Sequence, residues 1–231
     1  MLEATLISSF IHFIAFVYGI FVVLCLIGFW YVRSDSKTKK GTMQKFSIVI
    51  PFRNEEENIK DLLDTLASQA FDENLEGIFL VDDHSNDKSI ERIKTHSFYP
   101  FIQLIENQYE PGKKGALLTA WNKIQATYVL QLDADVRLPN KWYTALRKAF
   151  DHDVALYILP IKFEINTLIQ KLFAFEFASL SMLTISSIGL NNPQLANGAH
   201  LMYDRRYLDQ IDKRKDWMQT ASGDDMSILH H

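Results

Sequence analysis

The residues with the clearest chemistry in this chain are acidic pairs that follow short apolar runs. Asp133-Ala134-Asp135 follows YVLQL (128–132), and Asp82-Asp83 follows GIFLV (77–81). A third polar set, Arg53-Asn54-Glu55, follows FSIVIPF (46–52). Alternate residues of a strand share a face, so Asp133 and Asp135 are expected to reach one point. Two carboxylates that close repel unless a cation or protons lie between them. Mg2+ or Mn2+ suits the pair, because such ions take hard oxygen ligands, one or two of them protein carboxylates, and complete the octahedron with phosphate oxygens and water. The competing reading of D-x-D is a strand-end Asp that caps the next helix. Asp82 and Asp83 can accept hydrogen bonds from a base or ribose, or form an Asx-turn with Asn86 and Asp87.

Two further segments carry weaker signals. Pro111-Gly112-Lys113-Lys114-Gly115 opens a helical stretch, and glycines beside lysines at a helix N-terminus suit an anionic group. The segment lacks the spacing and the Ser/Thr of a Walker A loop, and a solvated turn is a strong competing explanation. Near the end, Ser222-Gly223-Asp224-Asp225 could supply a general base.

These residues need a scaffold that brings strand ends to one edge. The apolar runs at 46–52, 77–81, 101–106, 128–132 and 154–159 read as strands. Between them, Ile59, Leu62, Leu63 and Leu66 have helical spacing, as do Leu117, Ala120, Trp121 and Ile124, and Trp142, Leu146, Ala149 and Phe150. Residues 87–95 read as a short helix. Asn54 with Glu57 resembles a capping box. Alternating strands and helices imply an α/β fold, a mainly parallel sheet covered on both faces, and ligands then bind beyond the carboxyl ends of the strands. Residues 166–190 form a long apolar helix candidate. It is expected in a core or against a membrane surface, because Lys171 and Glu176 interrupt it. No internal repeat or low-complexity segment is present.

Net charge is −4, with 23% charged and 48% hydrophobic residues, which points to a globular chain and to no nucleic-acid partner. The single cysteine, Cys25, excludes an intrachain disulfide. No charged residue occurs between Glu3 and Arg33. That stretch is long enough to cross a bilayer, and Trp30 and Tyr31 sit where an aromatic belt would lie. A cleaved signal peptide fits poorly, lacking a basic start and a small-residue cleavage site. Arg33, Lys37, Lys39, Lys40 and Lys45 follow the stretch, so the rest of the chain is expected in the cytoplasm.

In order along the chain, FSIVIPFRNEEENI (46–59), IFLVDDHSNDKS (78–89), PGKKGAL (111–117), YVLQLDADV (128–136), LANGAHLMYDRR (195–206) and SGDDMSILHH (222–231) together resemble the family 2 glycosyltransferases, which have the GT-A fold. The charge-free stretch is expected to form a transmembrane anchor at 1–32 followed by a basic linker at 33–45, and the resemblance implies a catalytic domain at 46–231. It implies that Pro51, Arg53, Glu55, Asp82 and Asp83 line a nucleotide pocket, with Lys113 near the nucleotide. Asp133 and Asp135 become the family's D-x-D, Asp135 the more direct metal ligand. Asn197, Gly198 and Ala199 face a sugar, and Asp225 is the base, preceded by Asp224 where the family has Glu. The implied partners are a nucleotide-sugar donor, UDP being the commoner carrier, a glycan or lipid-linked acceptor, and membrane lipid. The implied reaction is inverting transfer. Members usually continue beyond the base, many processive ones with a Q-x-x-R-W segment. Six residues follow Asp225 here, so the acceptor side is expected to be incomplete.

Two rivals stand beside this reading. A nucleotidyltransferase would carry a glycine-rich basic loop after its first strand, where this chain has Arg53-Asn54-Glu55-Glu56-Glu57. A non-catalytic module would bind nucleotide-sugar or a membrane partner without turnover.

Overall fold

The computed structural model describes residues 2–34, 42–151, 154–163, 165, 167–194 and 196–207. They fall into two units. One holds two long helices, and the other holds a sheet with its covering helices.

In the sheet unit the chain runs β1 (Phe46–Phe52), α2 (Ile59–Ala67), β2 (Leu75–Asp82), α3 (Ser89–Thr95), β3 (Ile102–Glu106), α4 (Lys113–Trp121), β4 (Tyr128–Leu132), α5 (Trp142–Ala149), β5 (Leu156–Ile158) and β6 (His200–Asp204). The spatial order is β3-β2-β1-β4-β6-β5. The four strands from β1 to β4 pair in parallel. β6 lies antiparallel between β4 and β5, so the sheet is mixed at this side. The five expected strands are present. The sixth, HLMYD, is bounded by His200 and Asp204 and so reads as less apolar than its neighbours, and it sits far along the chain from the strand it pairs with.

Side-chain alternation builds two cores. Phe46, Ile48, Ile50 and Phe52 of β1 pack with Leu62, Leu63 and Leu66 of α2, Ile93 of α3 and Tyr143 and Leu146 of α5. Val49, Val81, Val129 and Tyr203 face the other way, onto Ala116, Leu117, Ala120 and Trp121 of α4. Burial on both faces explains why the central strands read as unbroken apolar runs. The capping box expected from Asn54 does not form. α2 starts later, at Ile59, after Asn58, and Asn54 itself adopts a left-handed φ of 55°.

The other unit contains α1 (Leu2–Ser34) and α6 (Leu168–Gly189). The span Ile7–Val32 is 26 residues long and apolar enough to cross a membrane. At 1.5 Å per residue it reaches about 39 Å, more than a hydrocarbon core of about 30 Å, so it would tilt. Of the two places expected for α6, a core or a membrane surface, the core is not met: Leu168, Phe173 and Phe175 are all more than half exposed. Its neighbour within the unit is α1, and one partner helix covers only one side.

Leu130 has no solvent exposure, in the middle of β4. Leu130→Ala is expected to destabilise the sheet unit by about 2–5 kcal/mol. Thermal unfolding of the detergent-solubilised chain checks this, and an unchanged midpoint would contradict the core described above.

Candidate functional site

The strand order reverses between β1 and β4. From β1 the chain moves outward to β2 and β3, then returns to place β4 on β1's other side. Such a switch point opens a crevice at the carboxyl edge. The β1–β4 ladder stops at Val49 paired with Gln131, whereas the β1–β2 ladder continues to Phe52 paired with Asp82. Pro51, which lacks an N–H, is tolerated in this inner strand because it lies past the stretch bonded on both sides.

The loops after β1 and β2 are stitched together. Asn54 N donates to Ser85 Oγ at 3.0 Å, and Asn86 N to Asn54 Oδ1 at 2.8 Å. Glu55 N donates to Ser89 Oγ at 2.8 Å, and Glu56 N to Asp87 Oδ2 at 3.0 Å. The bonds from Ser89 and Glu56 help to hold the Asp87 carboxyl below its usual range, against the opposing effect of burial. Asp82, itself buried, accepts from Ser85 N at 3.1 Å. Glu55 accepts from Asn58 Nδ2 at 2.8 Å. The turn chemistry weighed for Asp82 is therefore real, with Ser85 as the partner.

Asp83 does something different. Its two carboxylate oxygens accept from Gly112 N at 3.0 and 2.8 Å, and Asn107 Nδ2 adds a third bond at 2.7 Å. Gly112 has φ 133°, a conformation that side chains strain to adopt, and the carboxylate fixes it there. Arg53 Nη1 lies 3.7 Å from the same carboxylate. Next in sequence, Lys113 Nζ sits 2.7 Å from Asp133 Oδ1 and donates to the Gly198 carbonyl at 3.0 Å. Gln131 Nε2 donates to that carbonyl too, at 2.6 Å. Asp133 N donates to Ala199 O at 3.0 Å. One connected line thus runs from Arg53 through Asp83, Gly112 and Lys113 to Asp133 and Gly198.

The two D-x-D carboxylates do not share a strand face as expected. β4 ends at Leu132, and residues 133–136 form a turn closed by Val136 N on Asp133 O at 3.2 Å. Ala134 is buried, Asp133 is half-buried beside Lys113, and Asp135 is exposed. Among the described residues no group of three or more His, Cys, Asp or Glu is placed to hold a metal. An ion bound with a nucleoside diphosphate needs only one or two protein carboxylates, so this pair of hard oxygen donors fits one that shares its coordination with phosphate. Asn197 Oδ1 turns back onto Ala199 N at 3.0 Å. Asp224 and Asp225 lie outside the described residues.

Sequence reasoning singled out neither Gln131 nor His200. Gln131, fully buried in an apolar strand, is the one visible signal, because a buried amide must find partners. His200 is buried against Trp142, ring centroids 5.6 Å apart, and its Nε2 has no hydrogen-bond partner. Burial, opposed by a hydrogen bond to Pro160, pushes its pKa down to about 4.

The family model for Glycosyl transferase family 2 matches residues 47–212. An undecaprenyl-phosphate 4-deoxy-4-formamido-L-arabinose transferase of Yersinia pestis (strain Pestoides F) is 33% identical over 106 residues, covering 42% of this chain and 31% of the relative. The chain therefore matches about a third of the length of such relatives. Among solved structures, the mannosyltransferase PcManGT from Pyrobaculum calidifontis, in complex with GDP-Man and Mn2+, aligns with TM-score 0.62 at 19% identity. That alignment covers 82% of this chain and 55% of the other. TarS 1-349 of S. aureus in complex with UDP aligns with TM-score 0.50 at 19% identity, covering 73% and 49%. At these identities the likeness is one of fold.

Two outcomes follow. In Asp83→Asn one acceptor oxygen becomes an N–H donor facing Gly112 N, which should cost about 1–3 kcal/mol. It should lower the thermal midpoint, and an unchanged midpoint would show the turn does not depend on Asp83. For His200, an unfolded chain takes up the proton below the ordinary 6.5, and the folded chain only below about 4. Stability should be flat above that window and fall as pH drops through it, by at most about 3 kcal/mol. Unfolding of His200→Phe across this pH range should show a shallower decline than the parent, and an equally steep one would assign the loss to other groups.

Proposed function

Because the chain belongs to glycosyl transferase family 2, we propose that it transfers a sugar from a UDP-sugar to an acceptor hydroxyl, with inversion at the anomeric carbon. The observation that carries this reading is the switch-point crevice. There the Lys113–Asp133 pair joins the end of β4 to the Gly112 turn that Asp83 holds. A nucleoside diphosphate brings negative charge, and the lysine meets it while the acidic ends of β1 and β2 offer acceptors to base and ribose. Pro51, Arg53, Glu55, Asp82 and Asp83 line the nucleotide side in this reading, with Asn197 and Gly198 toward the sugar.

Asp135, with Asp133 beside it, would hold the Mg2+ or Mn2+. The ion supplies charge neutralisation for the departing diphosphate. Lys113 adds positive charge at the same edge and fixes Asp133 in place. Asp225, with Asp224 next to it, takes the proton from the acceptor hydroxyl. The acceptor oxygen then bonds to the anomeric carbon as the bond from that carbon to the diphosphate oxygen breaks, and the nucleoside diphosphate leaves. The neighbour with GDP-Man and Mn2+ supports the metal, and the relative named for undecaprenyl-phosphate supports a lipid-linked acceptor in envelope glycan synthesis; a lipid phosphate would attack as its anion and need no base, so Asp225 serves a hydroxyl acceptor. α1 serves as the anchor, and the basic residues after it put the sheet unit on the cytoplasmic face.

Calorimetry of UDP with the detergent-solubilised chain, with and without Mn2+, tests the donor side. Metal-dependent binding that Asp135→Ala abolishes is the expected result, and no binding with any nucleoside diphosphate would sink the reading. Asp225→Asn should retain that binding while losing about 10²–10⁴-fold in turnover. A parent chain that binds but never turns over would be a binding module instead.

A further inference from the structure

α6 carries apolar residues around nearly its whole circumference. Its charges are Lys171 and Glu176, both in its N-terminal half. Leu168, Ile169, Leu172, Phe173 and Phe175 are 61–75% exposed. A surface of this kind is not left to water. The helix's hydroxyls are already occupied. Ser179, Ser181, Thr184 and Ser186 each donate to the carbonyl four residues back, and Ser187 donates to Thr184 O. Thr167 and Gln170 close a capping box at its start. Few polar atoms of this helix are left needing water.

Its contact with α1 is made through glycines. A Cβ on Gly28 would run into the Ser186 carbonyl, and a Cβ on Gly189 into the carbonyl of Gly28. Such close approach between small residues is how helices associate in lipid, where burial of apolar surface gives no drive. On α1 only Cys25, Gly28 and Val32 are less than exposed between Ile7 and Val32, so α6 covers the final turns alone. Gly28 precedes Arg33 by five residues, or about 7 Å of helix. The crossing therefore lies just inside the headgroup level on the basic, cytoplasmic side.

Topology decides whether α6 crosses. The strands before and after it, β5 and β6, are hydrogen-bonded antiparallel neighbours, so both ends of α6 must return to the same side. A single crossing would send residues 159–167 or 190–199 back through the hydrocarbon as extended chain with unpaired backbone groups, which bilayers do not tolerate. In a membrane, the exposed face and the one-sided topology agree if the helix enters one leaflet and stays there.

We propose that α6 is a monotopic membrane helix, lying in the cytoplasmic leaflet beside the inner end of α1 and covered by lipid acyl chains. The inference rests on α1 being the anchor. Lys171 and Glu176 reach up to the headgroups on their flexible stems.

Depth-dependent quenching tests it on the full chain in liposomes. In a Cys25→Ala background, a fluorophore is attached at Ile169→Cys, Phe175→Cys or Leu180→Cys on α6, at Val17→Cys on α1, or at Lys60→Cys on the sheet unit. All five positions are exposed, so the label disturbs no packing. Nitroxide lipids carry the quencher near the headgroup or near the acyl terminus. The expected result is loss of fluorescence at all three α6 sites with the shallow quencher, without a gradient along the helix. Val17 should respond to the deep quencher and Lys60 to neither. A steady change of depth from Ile169 to Leu180 would mean that α6 inserts across the bilayer, and overturns the proposal. Silence on α6 with quenching at Val17 overturns it too and leaves the anchor standing, the helix then being covered by protein. Silence at Val17 as well removes the anchor reading and this inference with it.

Discussion

The early parting of β1 and β4 is the constraint on which the rest of the sheet unit depends. Their ladder ends at Val49, and the space beyond must be closed by side chains. Lys113 shares in that closing. Its ammonium joins the start of α4, the turn after β4 and the carbonyl of Gly198, three pieces from distant parts of the chain. The pair is a third exposed on either side, so its worth to stability is modest. Its value lies in position, because it keeps a carboxylate and a cation facing one opening.

Several acidic residues at this edge are structural as much as chemical. Asp83 spends both oxygens on the backbone of Gly112, and Asp87 ties the loop after β2 to Glu56. Asp135 is different, since no hydrogen bond or ion pair to another described residue holds its carboxylate. An edge arranged this way separates tasks. Buried carboxylates shape the turns, and the exposed one is left to meet whatever cation arrives.

Much of this was legible in the residues. Unbroken apolar runs gave the central strands, and their acidic ends marked the carboxyl edge. The D-x-D geometry differs from what strand alternation predicts, because β4 gives way to a turn after Leu132. Asn54 was taken for a cap because its spacing from Glu57 fits one, yet the neighbouring loop claims its side chain through Asn86. For α6 the residues leave a core and a membrane surface both open, because apolar composition alone does not distinguish a protein interior from lipid. Gln131 and the Gly198 carbonyl met only through tertiary pairing, across 67 positions, which no local pattern encodes. β6 escaped notice for the same reason.

The insertion of β6 between β4 and β5 has a consequence for synthesis on the ribosome. The strands from β1 to β4 emerge in order and can pair as they leave the tunnel. The free side of β4 must then wait until His200–Asp204 has been made. During that interval β4 is an open sheet edge, the kind that recruits other chains, and the apolar α6 emerges before the strand that closes it. Early capture of α1 by a membrane would hold each nascent chain at the surface where α6 is to settle. Translation in solution would instead leave an unpaired edge and a bare apolar helix exposed together.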